Sequence, residues 1–306
     1  MISAKIIADS ISEAGDRITT FELEYPRFIH GELMTHRMFS RNAASSRAIP
    51  IDKMIDQVLN FPSMPEEWGL NQSGMQAGGK HPSPVTCVWA WKQAAKRAVD
   101  SAKELQDLGL HKQLVNRWLE TAQTMKTIVT ATEFDNFFWL RCHEDAQPEI
   151  HALADKMLEV YKESEPTVLM FGEWHLPYVS TEHCPAGSGI IYGRTESGCL
   201  TLDQAKKVSA SCCAQVSFRA LDDDLDKALR IYDRLVTMTP VHASPFEHIG
   251  TPMNKSFGHD VYDMDEGVTH MDKNGAMWSG NLKGWIQYRQ LIDDNVCNNY
   301  TNKEGE

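Results

Sequence analysis

The chain has 306 residues, of which 42% are hydrophobic and 24% charged, and its formal net charge is −12. That length is sufficient for one large domain with a well-buried core. The acidic balance argues against a protein that binds nucleic acid through a basic surface, although a few arginines focused in one cleft can still bind a small phosphate.

The start of the chain and its cysteines indicate a cytoplasmic protein. No apolar run approaches the length of a membrane span, and the first 16 residues lack the basic-then-apolar form of a signal peptide. The 7 cysteines are odd in number and form no CxxC pair, which predicts reduced thiols rather than a disulfide framework. We therefore expect a protein that binds neither membranes nor nucleic acid.

The hydrophobic pattern begins with a strand and continues mainly with helices. Residues 18–25 alternate, with Phe21, Leu23 and Tyr25 on one face, and Pro26 ends the strand. A helix is predicted near 29–38, where Ile29, Leu33 and Met38 are the apolar positions, and another at 88–107, which ends before Gly109. Further helices are predicted from about 111, at 149–161, within 202–218 and at 222–237.

Polar or irregular stretches separate these elements. Residues 42–47 are predicted to be a small polar segment, and residues 51–86, 172–200 and 254–280 to be loops. We interpret 51–86 and 172–200 as insertions in a single domain that spans residues 1–306, and 284–292 as the last ordered piece. The predicted fold class is α/β (α+β), with a mixed sheet flanked by helices.

The segment THRMFSRNAASSR concentrates cationic and hydroxyl side chains. Its polar members are His36, Arg37, Ser40, Arg41, Asn42, Ser45, Ser46 and Arg47. Guanidinium groups bind phosphate bidentately, and hydroxyls and free backbone N–H groups fill the remaining acceptors. The segment therefore predicts a phosphate site, and a solvated basic face is the structural alternative.

A second cluster, NFFWLRCHEDAQPEI, carries Arg141 directly after an apolar run. An arginine in a segment that should be buried needs an anionic or carbonyl partner, which is either a ligand or an internal salt bridge with Glu144 or Glu149.

The third cluster is HASPFEH, residues 242–248. It predicts a helix start with Ser244 as the cap, Pro245 at the first position and Glu247 closing a capping box. Its two histidines and glutamate lack the spacing of a known metal motif. A zinc site formed by His175, His183 and Cys184 remains an alternative, and we predict no metal.

Together these clusters resemble the flavin-dependent thymidylate synthases. That family carries RHR, seven residues and then Ser, and Thr35-His36-Arg37 followed by Ser45 has this spacing, with Asn42 and Arg47 on matching positions. The family segment NFLxLRxxxxAQxEI is matched by residues 136–150, and GLHKQLVNR resembles the family helix that ends in a substrate-binding arginine, here Arg117.

The order of the segments differs from the family. ARVSF, a helix and HxTPFEH precede RHR there, whereas residues 214–218 and 242–248 follow it here. The resemblance implies a circular permutation that places the family's N-terminal part at 205–253, with residues 18–26 supplying the strand that follows SPFEH.

The resemblance implies a homotetramer with shared active sites that transfers a one-carbon unit from methylenetetrahydrofolate to C5 of dUMP, with FAD as cofactor and NADPH as reductant. The implied FAD-binding residues are His36, Arg37, Asn42, Asn136, Ser217, His242, Ser244 and Glu247. The implied nucleotide-binding residues are Ser45, Ser46, Arg47, Arg117, Arg141 and Glu32. Arg141 and Ser45 are the catalytic candidates, although no base is visibly paired with Ser45 to make it a nucleophile.

Three departures from the family pattern leave the substrate open. Thr35 replaces the first arginine of RHR, Ala43 replaces a frequent glutamate, and Glu32 replaces a frequent glutamine. Arg289 is a candidate to restore the missing charge. Because a carboxylate accepts from the exocyclic amine of cytosine, Glu32 favours a sibling methylase or hydroxymethylase acting on dCMP or dUMP, which would suit a phage genome with modified bases. A non-catalytic nucleotide-binding protein is the other alternative.

Overall fold

The structure, a computed structural model, describes residues 2–184, 189–195, 198–216, 224–254 and 265–300. Its helices are α1 (His30–Met34), α2 (Ile51–Asn60), α3 (Pro84–Asp107), α4 (Lys112–Val115), α5 (Asp135–Arg141), α6 (Pro148–Glu163), α7 (Leu202–Ala214) and α8 (Leu225–Thr237). Short 3₁₀ helices span Arg27–Ile29, Asn116–Ala122, Ser244–His248 and Tyr288–Leu291.

The strands form one larger sheet and three small ones among the described residues. They are β1 (Ser3–Ser12), β2 (Arg17–Pro26), β3 (Ser40–Ala43), β4 (Thr124–Ala131), β5 (Thr167–Leu169), β6 (Thr181–His183), β7 (Ile190–Thr195), β8 (Gly198–Leu200), β9 (Gly250–Pro252), β10 (His270–Met271), β11 (Met277–Ser279), β12 (Leu282–Lys283) and β13 (Trp285–Gln287).

The larger sheet has the order β3-β4-β2-β1-β5, and only its β1–β5 pair is parallel. Phe21 and Leu23 of β2 belong to the same buried cluster as Ile150 and Leu153 of α6. On the other side of β4, Ile128 packs with residues at the end of α7. The predicted mixed sheet flanked by helices is therefore confirmed.

The clearest sequence patterns are also confirmed. The predicted strand at 18–25 is β2, and α6 contains the helix predicted at 149–161. Gln147 caps α6 by accepting from the backbone N–H groups of Glu149 and Ile150, both at 3.1 Å. Gly109 follows α3 with φ +76°, as expected for a residue that ends a helix.

Several local predictions are wrong. The helix predicted through Met38 ends at Met34, and Ser40–Ala43 forms β3 because it pairs with β4. The segment 51–86 contains α2, whose buried side chains include Met54, Ile55 and Val58, and the start of α3. The segment 172–200 contains the sheet β6-β7-β8, and the part of 254–280 that the structure describes contains β10 and β11.

The HASPFEH segment also differs from its predicted form. Ala243, not Ser244, is the cap residue, and it makes no side-chain capping bond. The 3₁₀ helix then runs into β9, which pairs with β13, whereas the resemblance assigned the following strand to residues 18–26. Within the described chain, no helix is both long and apolar enough to cross a bilayer.

Candidate functional site

The guanidinium of Arg141, at the end of α5, lies against the segment that carries the predicted phosphate-binding residues. Its Nε donates to His36 Nε2 at 2.8 Å, and its Nη2 donates to Thr35 Oγ1 at 3.2 Å. The predicted alternative, an internal salt bridge with Glu144 or Glu149, is not formed. Glu149 instead accepts from the backbone N–H of Glu66 at 2.7 Å.

The bond to Arg141 determines the protonation state of His36. A guanidinium can only donate, so His36 Nε2 must present its lone pair and the ring proton must lie on Nδ1. Burial and the positive charges of Arg141 and Arg41 lower the pKa of His36 to about 4. The imidazole is thus neutral near pH 7, and it packs edge-on against Phe137 with ring centroids 4.8 Å apart.

A second arginine fixes the turn that carries His36. Arg41 Nη1 donates to the carbonyl of Met34 at 2.9 Å and to that of His36 at 3.1 Å. The neighbouring Arg37 is exposed, and no carboxylate in the described part of the chain pairs with it. This end of β3 therefore presents cationic charge that the described residues do not neutralise.

The other end of β3 carries a separate polar cluster. Ser46 Oγ donates to Glu120 Oε1 at 2.7 Å, and the same carboxylate oxygen pairs with Arg117 at 2.9 Å and Arg27 at 3.1 Å. Arg47 is exposed, and Arg117 lines a surface groove of about 450 Å³ between α3 and the 3₁₀ helix Asn116–Ala122. Arg47 and Arg117 therefore lie beyond one end of β3, and Arg141 lies near the other end, against Thr35 and His36.

The 3₁₀ helix Ser244–His248 brings Glu247 to the first cluster. The carboxylate of Glu247 forms an ion pair with Arg289. Burial lowers the pKa of Arg41, and the charge of Glu247 opposes that change, so Glu247 also lies within electrostatic range of Arg41. Arg289 thus enters this charge cluster through Glu247, and its predicted role as a substitute for the arginine missing at Thr35 stays a prediction.

The remaining predicted cofactor residues differ in how they are placed. Asn42 donates from Nδ2 to the carbonyl of Cys213 at 3.1 Å, so its amide nitrogen is engaged within the protein. Asn136 and His242 are exposed and Ser244 is half-buried. Ser217 lies outside the described residues. Ser45 and Glu32 are half-buried, and Glu32 lies one turn before Thr35, whose hydroxyl donates to the Glu32 carbonyl at 2.7 Å.

Sequence reasoning missed Asn281 and Gln287, which join the first cluster from the C-terminal part of the chain. Asn281 Nδ2 donates to the carbonyl of Met38 at 2.8 Å, and Gln287 Nε2 donates to Asn281 Oδ1 at 2.8 Å. Gln287 also donates to Ser40 Oγ and to the Glu247 carbonyl, both at 3.3 Å. Gln287 lies in the predicted last ordered piece, 284–292, and Asn281 lies just before it, but neither uncharged side chain gave a sequence signal for this contact.

Beneath the site, buried side chains form a hydrogen-bonded relay. His175 contacts Ser10 Oγ through Nδ1 at 2.9 Å and Thr20 Oγ1 through Nε2 at 2.8 Å. Thr20 bonds to Thr130 at 2.7 Å, and Thr130 bonds to His248 Nδ1 at 2.8 Å. Burial lowers the pKa of His175 to about 4 and that of His248 to about 3.

Because both ring nitrogens of His175 are engaged in this relay, it is not placed as a ligand with His183 and Cys184. The described residues contain no group of three or more His, Cys, Asp or Glu side chains arranged to hold a metal ion.

The fold and the site together define an α/β protein with a cluster of arginines beside a neutral imidazole. Residues 17–167 match the family described as thymidylate synthase complementing protein. A flavin-dependent thymidylate synthase from Geobacter sulfurreducens is 32% identical over 120 residues, which are 39% of this chain and 46% of that relative. Over this part of its sequence the chain is similar to the flavin-dependent thymidylate synthases.

Solved structures were also compared. Those of the UMP/dUMP methylase PolB from Streptomyces cacaoi, bound with 5-Br UMP or 5-Br dUMP, are 18% and 17% identical to this chain, with TM-scores of 0.43 and 0.44. Both matches cover 53% of this chain, and 89% and 90% of the respective PolB chains. The curated relative, by contrast, is matched over less than half of its own length.

Proposed function

We propose that the chain transfers a one-carbon unit from methylenetetrahydrofolate to C5 of a pyrimidine deoxynucleotide monophosphate, with dUMP as the first candidate. The observation that carries this proposal is the half-buried Arg141, which is bonded to a neutral histidine and a hydroxyl and has no carboxylate partner among the described residues. A partly buried guanidinium with free N–H groups and no counter-ion favours an anionic or carbonyl ligand.

Arg141 would perform two tasks on such a substrate. The bonds to His36 and Thr35 fix the plane of its guanidinium and use the protons on one edge only. The remaining N–H groups can donate to a pyrimidine carbonyl and stabilise negative charge that develops there when C5 is attacked. The fixed orientation reduces the entropy lost when the substrate binds.

The charge of the residues at this site suits a flavin nucleotide, which carries a negative pyrophosphate. Arg37 is an exposed cation with no carboxylate partner in the described chain, and a flavin pyrophosphate is a suitable anion for it. His36 and Ser244 are further candidate contacts, whereas Asn42 and Glu247 are engaged with other protein groups. Bound FAD, reduced by NADPH, would supply the redox chemistry of the transfer.

Arg47 and Arg117 lie beyond one end of β3, and Arg37 and Arg141 lie near the other. A second chain could bring the two groups to one ligand. We therefore propose the homotetramer that the family resemblance implies, a state that native mass spectrometry can measure directly.

Equilibrium binding tests the role of Arg141. Titration of dUMP into the flavin-loaded protein should give a dissociation constant that Arg141→Gln raises about 10-fold to 100-fold, the magnitude of one or two charge-assisted hydrogen bonds. Arg230→Gln, an exposed substitution on α8 with the same charge change, should leave the affinity unchanged. Equal affinities for wild type and Arg141→Gln would refute the proposal.

A related substrate, dCMP, remains the second candidate because of Glu32. Glu32 is half-buried and lies one helical turn before Thr35, which contacts Arg141. A carboxylate repels the O4 carbonyl of uracil but accepts from the amine of cytosine. The same titration with dCMP distinguishes the two bases, and tighter binding of dCMP that Glu32→Gln abolishes would favour the second candidate.

A further inference from the structure

The C-terminal segment from Asn281 to Arg289 lies outside the part of the chain that matches the family, yet it contacts two separate parts of the candidate site. Asn281 donates to the Met38 carbonyl just before β3, and Gln287 donates to Ser40 Oγ within β3. Gln287 also donates to the Glu247 carbonyl. One short segment therefore joins β3 to the 3₁₀ helix Ser244–His248.

The joining contacts are buried, so they are specific rather than incidental. Gln287 is 1% exposed and Ser40 is also 1% exposed. An unpaired amide at such a position would cost the desolvation of its polar atoms, and the bonds to Ser40, Asn281 and Glu247 satisfy its two N–H donors.

Arg289 adds a charge interaction at the end of the same segment. Its Nη1 pairs with the carboxylate of Glu247, and its Nη2 donates to the carbonyl of Asn295 at 3.2 Å. Glu247 lies within electrostatic range of a second cation, Arg41, whose Nη1 instead donates to the carbonyls of Met34 and His36. Glu247 thus forms an ion pair with Arg289 and interacts with Arg41 only at longer range.

We infer that Arg289 is a positioning residue of the candidate site, which holds Glu247 so that Arg41 stays bonded to the turn carrying His36 and Arg37. Without Arg289, the Glu247 carboxylate still interacts electrostatically with Arg41. If Arg41 moves towards Glu247, its guanidinium loses its hydrogen bonds to the Met34 and His36 carbonyls. The turn that carries His36 and Arg37 is then less well fixed. Gln287 assists by fixing the Glu247 backbone.

The expected weakening of anion binding rests on the proposed function. The effect of Arg289 on Glu247, Arg41 and the turn concerns residues of this chain alone. The positioning role and the proposed function can therefore be refuted separately. Arg289→Gln tests the inference, Arg289→Lys keeps the charge without the planar fork, and Arg230→Gln is the matched control on α8.

Hydrogen exchange provides the readout that needs no ligand. The backbone N–H groups of Thr35 and His36 donate to the carbonyls of Glu32 and Leu33, both at 3.2 Å. Arg289→Gln should accelerate exchange of these two amides at least 10-fold, Arg289→Lys should accelerate it less, and Arg230→Gln should leave it unchanged. Unchanged exchange in Arg289→Gln would overturn the inference, whether or not the protein binds a flavin.

Flavin affinity then separates a positioning effect from a loss of stability. We expect Arg289→Gln to raise the dissociation constant of FAD about 10-fold, and the addition of Glu247→Gln to restore part of the affinity because the competing carboxylate is removed. If Glu247→Gln restores nothing, Arg289 acts other than through Glu247 and the inference is wrong. A wild-type protein that binds no FAD would refute the proposed cofactor, while the exchange measurement would still decide the role of Arg289.

Discussion

The contact between Arg141 and His36 joins a permanent cation to an imidazole that must stay neutral. Nε2 of His36 accepts from Arg141, so a proton on that nitrogen would remove the acceptor and place two cations in contact. With its pKa lowered to about 4, His36 does not titrate around neutral pH. The geometry of Arg141 should therefore be constant between about pH 6 and 8, the range in which an ordinary histidine changes charge.

Substitution of His36 tests this acceptor role. His36→Gln can present a carbonyl oxygen to Arg141, whereas His36→Leu leaves the guanidinium without an acceptor at that position. We expect His36→Leu to weaken dUMP binding about 10-fold or more and His36→Gln to weaken it less. Titration calorimetry measures both, and equal losses in the two variants would show that ring packing against Phe137, rather than hydrogen bonding, is what matters.

At the scale of elements, the buried relay connects the central strands to the 3₁₀ helix that carries Glu247. Thr20 on β2 and Thr130 on β4 lie between the two imidazoles of His175 and His248. Because both histidines have lowered pKa values, the unfolded chain binds protons that the folded chain does not, once the pH falls below the ordinary histidine pKa of about 6.5.

The relay predicts an acid-sensitive fold. The free energy of unfolding should fall as the pH decreases from about 6.5 towards 4, by up to about 2 kcal/mol for each histidine at pH 5. Urea unfolding at a series of pH values measures this slope. His248→Gln should reduce the slope and His143→Gln, at an exposed position, should not; an unchanged slope in His248→Gln would contradict the assignment.

The turn between β12 and β13 determines where Gln287 and Arg289 lie. Gly284 has φ +71°, and a Cβ there would collide with the carboxylate of Asp16, whereas Gly275 has φ +83° with open space around it. We expect Gly284→Ala to destabilise the protein by about 2–3 kcal/mol and Gly275→Ala by about 1 kcal/mol. Thermal unfolding of the two variants measures the difference in stability. Similar losses of stability in both variants would mean that the Asp16 side chain moves aside at little cost.

At the scale of the whole molecule, the cationic site occurs in a chain with a net charge of −12. A few arginines in an acidic protein focus the local potential, which favours a small anion over an extended polyanion such as nucleic acid. Glu247 and Glu120 each neutralise nearby arginines, while Arg37, Arg47 and Arg141 have no carboxylate partner in the described chain.

Sequence patterns identified the elements whose periodicity is strong. Phe21, Leu23 and Tyr25 predicted β2, and Ile150, Leu153 and Met157 predicted α6, because each set repeats with the period of its element. The strand β3 was missed because its four residues pair with β4, a long-range contact that local spacing does not encode.

The candidate site was predictable only in part, for a related reason. Burying an arginine is costly unless it has a partner, so an arginine directly after an apolar run indicates a binding site. This reasoning identified Arg141 from the sequence. Gln287 and Asn281 carry no charge, and they reach β3 from more than two hundred residues away in sequence. Their role follows from tertiary contacts, which the family segments do not contain.

The most direct test of the central claim is the mass of the nucleotide formed on turnover. The purified protein would be incubated anaerobically with FAD, NADPH, methylenetetrahydrofolate and either dUMP or dCMP, with Arg141→Gln as the inactive control. We predict a methyl gain on dUMP that is lost in Arg141→Gln. A methyl or hydroxymethyl gain on dCMP alone would contradict the assignment of dUMP, and no product on either nucleotide would contradict the assignment of a one-carbon transferase.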